Sequence, residues 1–352
     1  MDVAVLGATG DVGRQLCTQL IERQVLPGTA RLQLVGRADG SSRRASYGLR
    51  ADLIDAYDER MPLIDVALDP RDVVADVVVA AAGRTIPADG SLGRDQLAAA
   101  NVETFREYAD ALARYGSGHE VVVVVTNPVE LGVAVFAERL GRNRVIGMGA
   151  WLDTLRFRRE IALSLGVRRQ QVGGFAVGQH GDDVVPLWST VRIHGLDVEE
   201  RTAKVLAVRG VRTLASFPAE LAAAKARLLE VAGADMHQAF RLVDELAPDL
   251  RAALRPWLIH GSGAKTAIGT AGATVDLVDT LLDGRDILVA GQVALEGEVP
   301  GLTGVVGVPV VIGPAGWRQV ILDELPPDEE QRFLEATAAI DKTLAPWGLG
   351  RD

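Results

Sequence analysis

The chain opens on the stretch V-A-V-L-G-A-T-G-D-V-G, residues 3–13, an apolar run followed by a glycine-rich turn. Val3 to Leu6 predicts a buried strand, and Leu16 and Leu20 recur afterwards at helical spacing. Glycines between a strand and a helix allow a tight turn and let a pyrophosphate approach the helix N-terminus, where free N–H groups favour an anion. The stretch therefore predicts an α/β fold, a doubly wound parallel sheet with a dinucleotide site.

The spacing of this turn is G-x-x-G-x-x-G, with Ala8 where the standard dinucleotide fingerprint has its first glycine. A glycine-rich turn without a ligand is the alternative, and the strand and helix on either side argue against it. The candidate cofactor contacts in this stretch are Gly7, Thr9, Gly10, Asp11 and Val12.

A second strand, Leu32 to Val35, is followed by Gly36 and Arg37. An NAD site usually carries an acidic residue here, which accepts hydrogen bonds from the adenosine ribose. Gly36 leaves space instead and Arg37 supplies a forked cation, so a 2′-phosphate is favoured and NADP is preferred to NAD. Ser41, Ser42, Arg43 and Arg44 follow, and we place them in the same loop. A solvated basic loop is the alternative.

Two further apolar runs, Val73 to Gly83 and Val121 to Val125, are typical of parallel strands buried on both faces. Gly83 ends the first and is a candidate cofactor contact. Residues 84–94, rich in Gly and Pro, precede a helix and could form a lid. Asn127 follows the second run at the carboxyl edge of the sheet, where such sheets bind ligands; a helix N-cap is the alternative for it.

The segment Val177 to Pro186, V-G-Q-H-G-D-D-V-V-P, places His180 between Gly178, two residues before it, and Gly181. Those glycines allow a sharp turn that opens an imidazole to a cleft, where it can exchange a proton near neutral pH. Asp153 and Arg156 lie three residues apart on one face of a predicted helix. Taken alone, the histidine could be merely structural and the pair a surface ion pair.

Composition places limits on function. The 352 residues, 48% hydrophobic and 24% charged, fit two globular domains, which we place at residues 1–149 and 150–352. A formal net charge of −10 argues against nucleic-acid and anionic-membrane partners. One cysteine, Cys17, excludes an internal disulfide and a multi-cysteine zinc site. With no targeting segment in view, a cytoplasmic location is expected.

The second half of the chain shows three patterns. Residues 200–260 are rich in Ala, Leu and Arg at helical spacing. Strands of a largely antiparallel layer are expected at Asp286 to Val293, Gly304 to Ile312 and Val320 to Leu322. A final helix after Pro326 and Pro327 is expected to bury Phe333, Ile340 and Leu344 along one stripe.

Five motifs follow one another along the chain: G-A-T-G-D-V-G, A-A-G with an arginine loop, T-N-P, L-D-T-L-R-F-R and G-Q-H-G-D-D-V-V-P. Together and in this order, they resemble the lactate and malate dehydrogenase family. D-L-I-D-A at Asp52 to Ala56, V-I-G-M-G at Val145 to Gly149 and G-V-P-V-V-I-G at Gly307 to Gly313 extend the resemblance almost end to end. It implies a Rossmann doubly wound parallel sheet followed by an α+β catalytic domain. It also implies an NAD(P)-dependent 2-hydroxy acid dehydrogenase that forms a homodimer or homotetramer and needs no metal.

The resemblance implies a role for each matching residue. His180 would exchange a proton with the substrate oxygen, and Asp153 would orient the imidazole. Arg156 would hold the substrate carboxylate, Arg94 would polarise the substrate carbonyl, and Asn127 would hydrogen-bond substrate near the nicotinamide. Asn101 also matches a family asparagine, and we place it among the cofactor contacts. The pair Gly36 and Arg37 is similar to NADP-using archaeal members.

The sequence also departs from the family. Ile86 stands where malate-specific members carry an arginine for the second carboxylate, and the loop is about two residues longer than usual. Arg84 or Lys265 could supply that cation instead. Ala264 stands where the family often has a hydroxyl. A less common 2-oxo acid is therefore an alternative to malate chemistry.

Three other interpretations are weaker. A catalytically retired dinucleotide-binding protein is disfavoured because the candidate proton and carboxylate groups all remain. A short-chain dehydrogenase would need Tyr-x-x-x-Lys, and none of the four tyrosines is followed by lysine at that spacing. An NAD- and metal-dependent glycosidase would need a cysteine near the site, and Cys17 falls in the first predicted helix.

Overall fold

The structure is a computed structural model that describes residues 1–85 and 93–350. The described strands are β1 (Val3–Leu6), β2 (Arg31–Val35), β3 (Leu63–Ala67), β4 (Val77–Ala80), β5 (Val121–Val124), β6 (Val145–Gly147), β7 (Val172–Gly178), β8 (Val184–Ile193), β9 (Ile287–Glu296), β10 (Thr303–Gly313) and β11 (Gly316–Val320). The described α-helices are α1 (Asp11–Glu22), α2 (Gly40–Tyr57), α3 (Arg94–Tyr115), α4 (Val129–Leu140), α5 (Gly149–Leu165), α6 (Val198–Arg209), α7 (Phe217–Ala232), α8 (Met236–Asp244), α9 (Pro248–Gly261), α10 (Ala267–Asp283) and α11 (Pro327–Leu344).

The first half of the chain forms the predicted Rossmann doubly wound sheet. Strands β3-β2-β1-β4-β5-β6 lie in that order, and every neighbouring pair among them is parallel. The strand order reverses between β1 and β4, and at such a point loops on the carboxyl edge separate and leave a crevice for a ligand. The fold class inferred from residues 3–13 is therefore confirmed.

Valine-rich runs form the centre of this sheet because helices cover both of its faces. All four residues of β4 and all four of β5 are buried. The run from Val73 to Gly83 is only partly strand, however. A short 3-10 turn occupies Pro70–Asp72, and regular pairing with β1 covers Val77 to Ala80 alone.

The second half of the chain adds a mainly antiparallel layer, as predicted. Strands β9, β10 and β11 pair antiparallel, as do β7 and β8. This layer continues the first sheet where Gly147 of β6 pairs with Gln292 of β9. The predicted boundary between residues 149 and 150 falls at the start of α5, and the division into two domains stays a prediction.

The remaining helices follow the predicted patterns. Helices α6 to α9 occupy the Ala- and Leu-rich segment, and α11 buries Phe333, Ile340 and Leu344. The strand expected at Val320 to Leu322 is misplaced, because β10 turns back at Pro314 and Ala315, and β11 begins at Gly316 (φ +102°) and ends at Val320. Within the described residues, no helix combines the length and apolar character needed to cross a bilayer.

Candidate active site

A groove of about 1060 Å³ opens at the carboxyl edge of the parallel sheet, where the strand order reverses. We call it the cofactor groove. Most of the predicted cofactor contacts line it: Gly7, Thr9, Gly10, Gly36, Arg37, Ser41 and Gly83. The sheet thus brings together predicted contacts from three separate stretches of sequence at one ligand-sized site.

The first glycine turn has the geometry that a dinucleotide requires. Gly7 has a φ of +76°, and a Cβ there would lie 2.8 Å from Cα of Ala82. A Cβ on Gly13 would lie 2.2 Å from the carbonyl oxygen of Gly7. Helix α1 therefore packs directly against the turn, and its N-cap, Gly10, offers no side chain to the first N–H groups. These groups are left to bind an anion, so the site fits a pyrophosphate.

Two residues of the glycine-rich stretch lie outside the groove lining. Val12 is half-buried against the hydrophobic core, and Asp11 forms an ion pair with Lys265. Lys265 precedes α10, so this pair links the glycine turn to the second half of the chain. The predicted cofactor contacts at Asp11 and Val12 stay predictions.

The second predicted cofactor element differs from the expected loop. Ser41, Ser42, Arg43 and Arg44 lie in the first turns of α2, which begins at Gly40, directly after Asp39 at the N-cap position. Arg43 and Arg44 are exposed and are not part of the groove's described lining. The cationic group at this end is thus Arg37 rather than a basic loop.

Gly36 and Arg37 are held closely by α2. The backbone N–H of Arg37 donates to Ser42 Oγ at 2.9 Å, and a Cβ on Gly36 would lie 2.4 Å from Ser46 Oγ. A side chain at position 36 would therefore have to displace the hydroxyl of Ser46. The Arg37 side chain is 81% exposed, and its nearest carboxylate is Asp39, with Nε to Oδ1 at 3.8 Å.

Tyr108 from α3 lies at the same end of the groove. Burial raises the pKa of Tyr108 to about 12, with Glu107 adding to the effect and Arg37 opposing it. The phenol is therefore neutral at physiological pH. It supplies a hydroxyl and a ring face at a position that the sequence alone did not reveal.

Asn101 stabilises the chain segments that follow β4 and β5. Its side chain is fully buried, Oδ1 accepts from the N–H of Arg84 at 2.6 Å, and Nδ2 donates to the carbonyls of Arg84 and Asn127. Since the amide is engaged by backbone groups, Asn101 ties two strand ends together rather than facing the cofactor groove. Gly83 is required beside it, because a Cβ there would lie 2.8 Å from Oδ1 of Asn101.

The structure describes three of the predicted substrate contacts, Asn127, Ile86 and Arg94, to different extents. Asn127 is exposed at the end of β5, and the N-cap of α4 is Pro128, so the capping alternative for Asn127 is wrong. Ile86 lies outside the described residues. Arg94 begins α3, but its side chain also lies outside the described part of the structure. Arg84 lines the cofactor groove.

The three strongest sequence candidates form one connected group. Nδ1 of His180 lies 2.7 Å from Oδ2 of Asp153, and Nη1 of Arg156 donates to Oδ1 of Asp153 at 3.1 Å. Between 10% and 14% of each side chain is exposed. Asp153 thus binds an imidazole with one oxygen and a guanidinium with the other.

Charge and burial act against each other in this group. Burial alone would raise the pKa of Asp153, but His180 and Arg156 outweigh it and the pKa is lowered. Burial lowers the pKa of Arg156, and Asp153 opposes that shift. Asp153 is therefore ionised at neutral pH and can stabilise positive charge on the imidazole.

Helix α5 and strand β7 set the register of this group. Oγ1 of Thr154, the residue after Asp153, accepts from the N–H of Ala176 at 2.9 Å and donates to the carbonyl of Ala176 at 3.3 Å. Because Thr154 is fully buried, these bonds fix Asp153 relative to the end of β7. His180 follows two residues after that strand ends.

Two further supports hold His180 itself. Oε1 of Glu130, 1% exposed in the first turn of α4, accepts from the backbone N–H of His180 at 2.7 Å. Gly149 lies against the imidazole, since a Cβ there would be 2.5 Å from Cγ of His180. Thr154, Glu130 and Gly149 were not predicted as supports. Thr154 and Gly149 end the motifs L-D-T and V-I-G-M-G, and Glu130 closely follows T-N-P, which was the available indication.

Residues 1–147 match the family model described as the lactate/malate dehydrogenase, NAD binding domain. The malate dehydrogenase of Bacteroides fragilis is 30% identical over 276 residues, which cover 77% of this chain and 75% of that protein. The chain belongs to the lactate/malate dehydrogenase family. An archaeal relative, the L-2-hydroxycarboxylate dehydrogenase (NAD(P)(+)) of Methanocaldococcus jannaschii, is 27% identical over 358 residues and covers 97% of both chains.

Solved structures show that the family fold extends over the whole chain. The malate dehydrogenase of Aeropyrum pernix superimposes with a TM-score of 0.75 at 24% identity and covers 98% of each chain. The lactate dehydrogenase of Cryptosporidium parvum gives a TM-score of 0.73 at 20% identity, over 97% of this chain and 96% of the other. Both the Rossmann half and the antiparallel half therefore have the family architecture.

Proposed function

We propose that this protein is an NAD(P)-dependent 2-hydroxy acid dehydrogenase that interconverts a 2-hydroxy acid and a 2-oxo acid. The observation that carries the proposal is the continuous group His180, Asp153 and Arg156, with contacts of 2.7 and 3.1 Å. Such a group can exchange a proton and hold a carboxylate. Relatives named malate dehydrogenase and L-2-hydroxycarboxylate dehydrogenase (NAD(P)(+)) support the same reaction class.

Proton transfer to and from the substrate oxygen is assigned to His180. Asp153 engages Nδ1, and Nε2 is proposed as the ring nitrogen that gives its proton to the substrate oxygen during reduction and removes it during oxidation. Asp153 keeps the ring in the required tautomer and stabilises the imidazolium. The bound nicotinamide supplies or accepts the hydride at C2 of the substrate.

Binding of the substrate carboxylate is assigned to Arg156. One of its nitrogens holds Asp153, and a guanidinium has further donors in a planar fork that matches a carboxylate. Asn127, exposed at the end of β5, is proposed to hydrogen-bond the substrate near the nicotinamide. Arg94 is proposed to polarise the substrate carbonyl, on the strength of the family resemblance.

The test is a spectrophotometric assay of purified protein with NADPH and with NADH, across a panel of 2-oxo acids that includes oxaloacetate. Oxidation of the reduced cofactor with at least one acid is expected. Absence of oxidation across the whole panel, in protein shown to be folded and to bind cofactor, would overturn the proposed function.

NADP is proposed as the preferred cofactor, on the strength of Gly36 and Arg37. Position 36 carries glycine, and a side chain there would meet the hydroxyls of Ser42 and Ser46, so the ribose 2′-hydroxyl lacks the acidic acceptor of an NAD site there. Arg37 lines the groove at this end and Ser41 adds a hydroxyl donor. Both groups suit a 2′-phosphate.

Arg37→Asp tests this preference. A charged hydrogen bond to phosphate contributes about 1.5 to 3 kcal/mol, so the ratio of kcat/KM for NADPH to that for NADH is expected to fall by about tenfold to a hundredfold and to invert. Arg43→Asp, which makes the same charge change outside the groove lining, is the control. A native preference for NADH would contradict the assignment.

A further inference from the structure

An ion pair joins the glycine turn of the cofactor groove to the second half of the chain. Nζ of Lys265, in the loop before α10, contacts Oδ2 of Asp11, the first residue of α1. Because an aspartate side chain is short, the ammonium lies within a few ångströms of the first N–H groups of α1, where the pyrophosphate is proposed to bind. Lys265 also lines a cavity of about 460 Å³ together with Arg156, so it connects the cofactor end of the site with the carboxylate end.

The carboxylate of Asp11 would by itself be unfavourable beside a pyrophosphate. It carries the same sign of charge as the phosphates, and like charges repel at this distance. Lys265 cancels that charge. An ammonium has three N–H donors and the contact with Asp11 uses one of them, while the Lys265 side chain is 44% exposed. A phosphate oxygen can therefore accept a hydrogen bond from the same ammonium.

The backbone of Lys265 has a conformation that lysine rarely adopts. Its φ is +55°, in the left-handed region, where Cβ crowds the following carbonyl oxygen. An ion pair between two partly exposed groups contributes little to stability, because water and salt screen it. The pair with Asp11 therefore does not account for the strained backbone, and strain of this kind is typical of residues that contact a ligand.

Other contacts hold α1 and α10 together without Lys265. Nη2 of Arg23, at the C-cap of α1, lies 2.6 Å from Oδ1 of Asp276 on α10, and the Arg23 side chain is 40% exposed. Nε2 of Gln19 donates to the carbonyl of Ile268 on α10 at 3.1 Å. Arg23 lies roughly 18 Å further along α1 than the glycine turn, at about 1.5 Å per residue. This second ion pair therefore joins the same two helices far from the cofactor groove.

We propose that Lys265 is a cofactor-binding residue, whose ammonium is held in place by Asp11 and donates to the pyrophosphate of the bound dinucleotide. The glycine turn supplies backbone N–H groups, and the second half of the chain supplies the positive charge. The inference rests on the proposed dehydrogenase function and adds a residue to its cofactor site.

Lys265→Asn tests the contact, because asparagine tolerates a positive φ and keeps the shape of the loop. In calorimetric titrations without substrate, the Kd values for NADPH and NADH should both rise about fivefold to tenfold, as expected for one charge-assisted hydrogen bond at a partly exposed site. The two cofactors should be affected equally because both carry the pyrophosphate, whereas Arg37→Asp alters their ratio. Lys265→Arg keeps the charge and should bind both within about threefold of the native protein.

Arg23→Gln is the matched control, since it breaks the other ion pair between α1 and α10. It should leave both Kd values within about twofold and lower the urea midpoint of unfolding slightly. Lys265→Asn should have the opposite pattern. Relief of the left-handed backbone should keep its urea midpoint at or above that of the native protein, while cofactor binding weakens.

The double variant Asp11→Asn/Lys265→Asn separates a direct contact from simple cancellation of charge. If Lys265 binds the pyrophosphate, both Kd values should stay severalfold above those of the native protein even without the Asp11 carboxylate. If Lys265 serves only to neutralise Asp11, removing both charges should restore native affinity.

Three outcomes overturn the inference while leaving the proposed function intact. Lys265→Asn could leave both Kd values unchanged and raise only the KM for the 2-oxo acid, which would make Lys265 a substrate contact. It could lower the urea midpoint as Arg23→Gln does, with no larger effect on cofactor affinity than that control. The double variant could bind both cofactors as tightly as the native protein. Failure of the native protein to bind either cofactor would instead contradict the proposed function itself.

Discussion

Two glycine turns carry parts of the proposed active site, and they use the same backbone freedom for different purposes. Gly7, after β1, has a φ of +76°, and Gly178, at the end of β7, has a φ of +79°. A Cβ would lie 2.8 Å from Cα of Ala82 at the first and 2.9 Å from Cβ of Ala336 at the second. The first turn leads into helix N–H groups, whereas the second presents the side chain of His180.

The difference between the turns is in what keeps them in place. A site built from backbone needs close packing alone, and Gly13 provides it by letting α1 touch the carbonyl of Gly7. A site built from one side chain needs partners that orient that side chain. Asp153, Glu130 and Gly149 do so for His180, so loss of a support should affect chemistry at one turn and cofactor binding at the other.

The largest effect is expected for His180→Gln. Removing the group that exchanges the proton should lower kcat/KM by about 10² to 10⁴, since general acid–base catalysis contributes that much. The Kd for NADPH, measured by fluorescence titration, should stay within about twofold, because the glycine turn at Gly7 is untouched. A comparable loss of cofactor affinity would show that the two turns are not independent.

Asp153→Asn should have the next largest effect on catalysis. The amide keeps the shape of the side chain but cannot stabilise an imidazolium, so we expect kcat to fall about a hundredfold or more with little change in the Kd for cofactor. Activity close to that of the native protein would remove Asp153 from the proton path.

The same variant has a pH signature. The pKa of Asp153 is lowered in the folded protein, because His180 and Arg156 outweigh the opposing effect of burial. Its contribution to stability is therefore fully present above the unfolded pKa, about 3.9, and is lost as the pH falls through the lowered folded pKa. The stability gap between native protein and Asp153→Asn in urea unfolding should be widest near neutral pH and shrink in acid. A gap that is independent of pH would contradict this.

Gly149→Ala tests a support that carries no charge. The new Cβ would lie 2.5 Å from Cγ and 2.6 Å from Cβ of His180, so the imidazole or the start of α5 must move. Because small misplacements of a catalytic group are costly, we expect kcat to fall about tenfold with cofactor affinity unchanged. Gly233→Ala, which meets no atom within 4 Å, is the matched control. Equal kinetics for native protein and Gly149→Ala would show that the ring adapts.

The glycine turn and its sheet could be predicted from sequence, because their determinants are local. Strand, turn and helix follow one another within residues 3–22, and buried strands such as β5 consist of valine alone. What could not be predicted depends on contacts made across the fold. Ser41 to Arg44 belong to α2, which begins at Gly40, and Asn101 is buried with its side-chain amide bonded to the backbone of Arg84.

For the turn that carries His180, the sequence predicted the residues of the site but not the contacts that hold them in place. His180, Asp153 and Arg156 were identified by their order along the chain, and the structure brings them within hydrogen-bond distance. Their supports come from α4 and the start of α5, up to 50 residues away in sequence. The cavity that Arg156 and Lys265 both line likewise depends on α5 lying beside the start of α10, which no local pattern predicts.

The smallest effect on catalysis is expected for Gly13→Ala, the counterpart of Gly149→Ala in the other turn. Its Cβ would lie 2.2 Å from the carbonyl oxygen of Gly7 and 2.8 Å from Cα of Ala8, so α1 must shift away from the turn. Such overpacking costs about 1 to 3 kcal/mol of stability. The KM for NADPH should rise severalfold, and kcat should stay close to that of the native protein.

Cys17 on α1 reports this shift directly. The thiol is fully buried, and burial raises its pKa to about 12, so in the native protein it should react with a thiol reagent only when the helix opens. Gly13→Ala should speed that reaction, while Gly149→Ala should leave it unchanged because its clash lies at His180. Both variants could instead lower kcat while neither alters Cys17 reactivity or the KM for NADPH. The turn at Gly7 would then affect the chemical step, and the assignment of cofactor binding to that turn and of catalysis to the turn that carries His180 would be wrong.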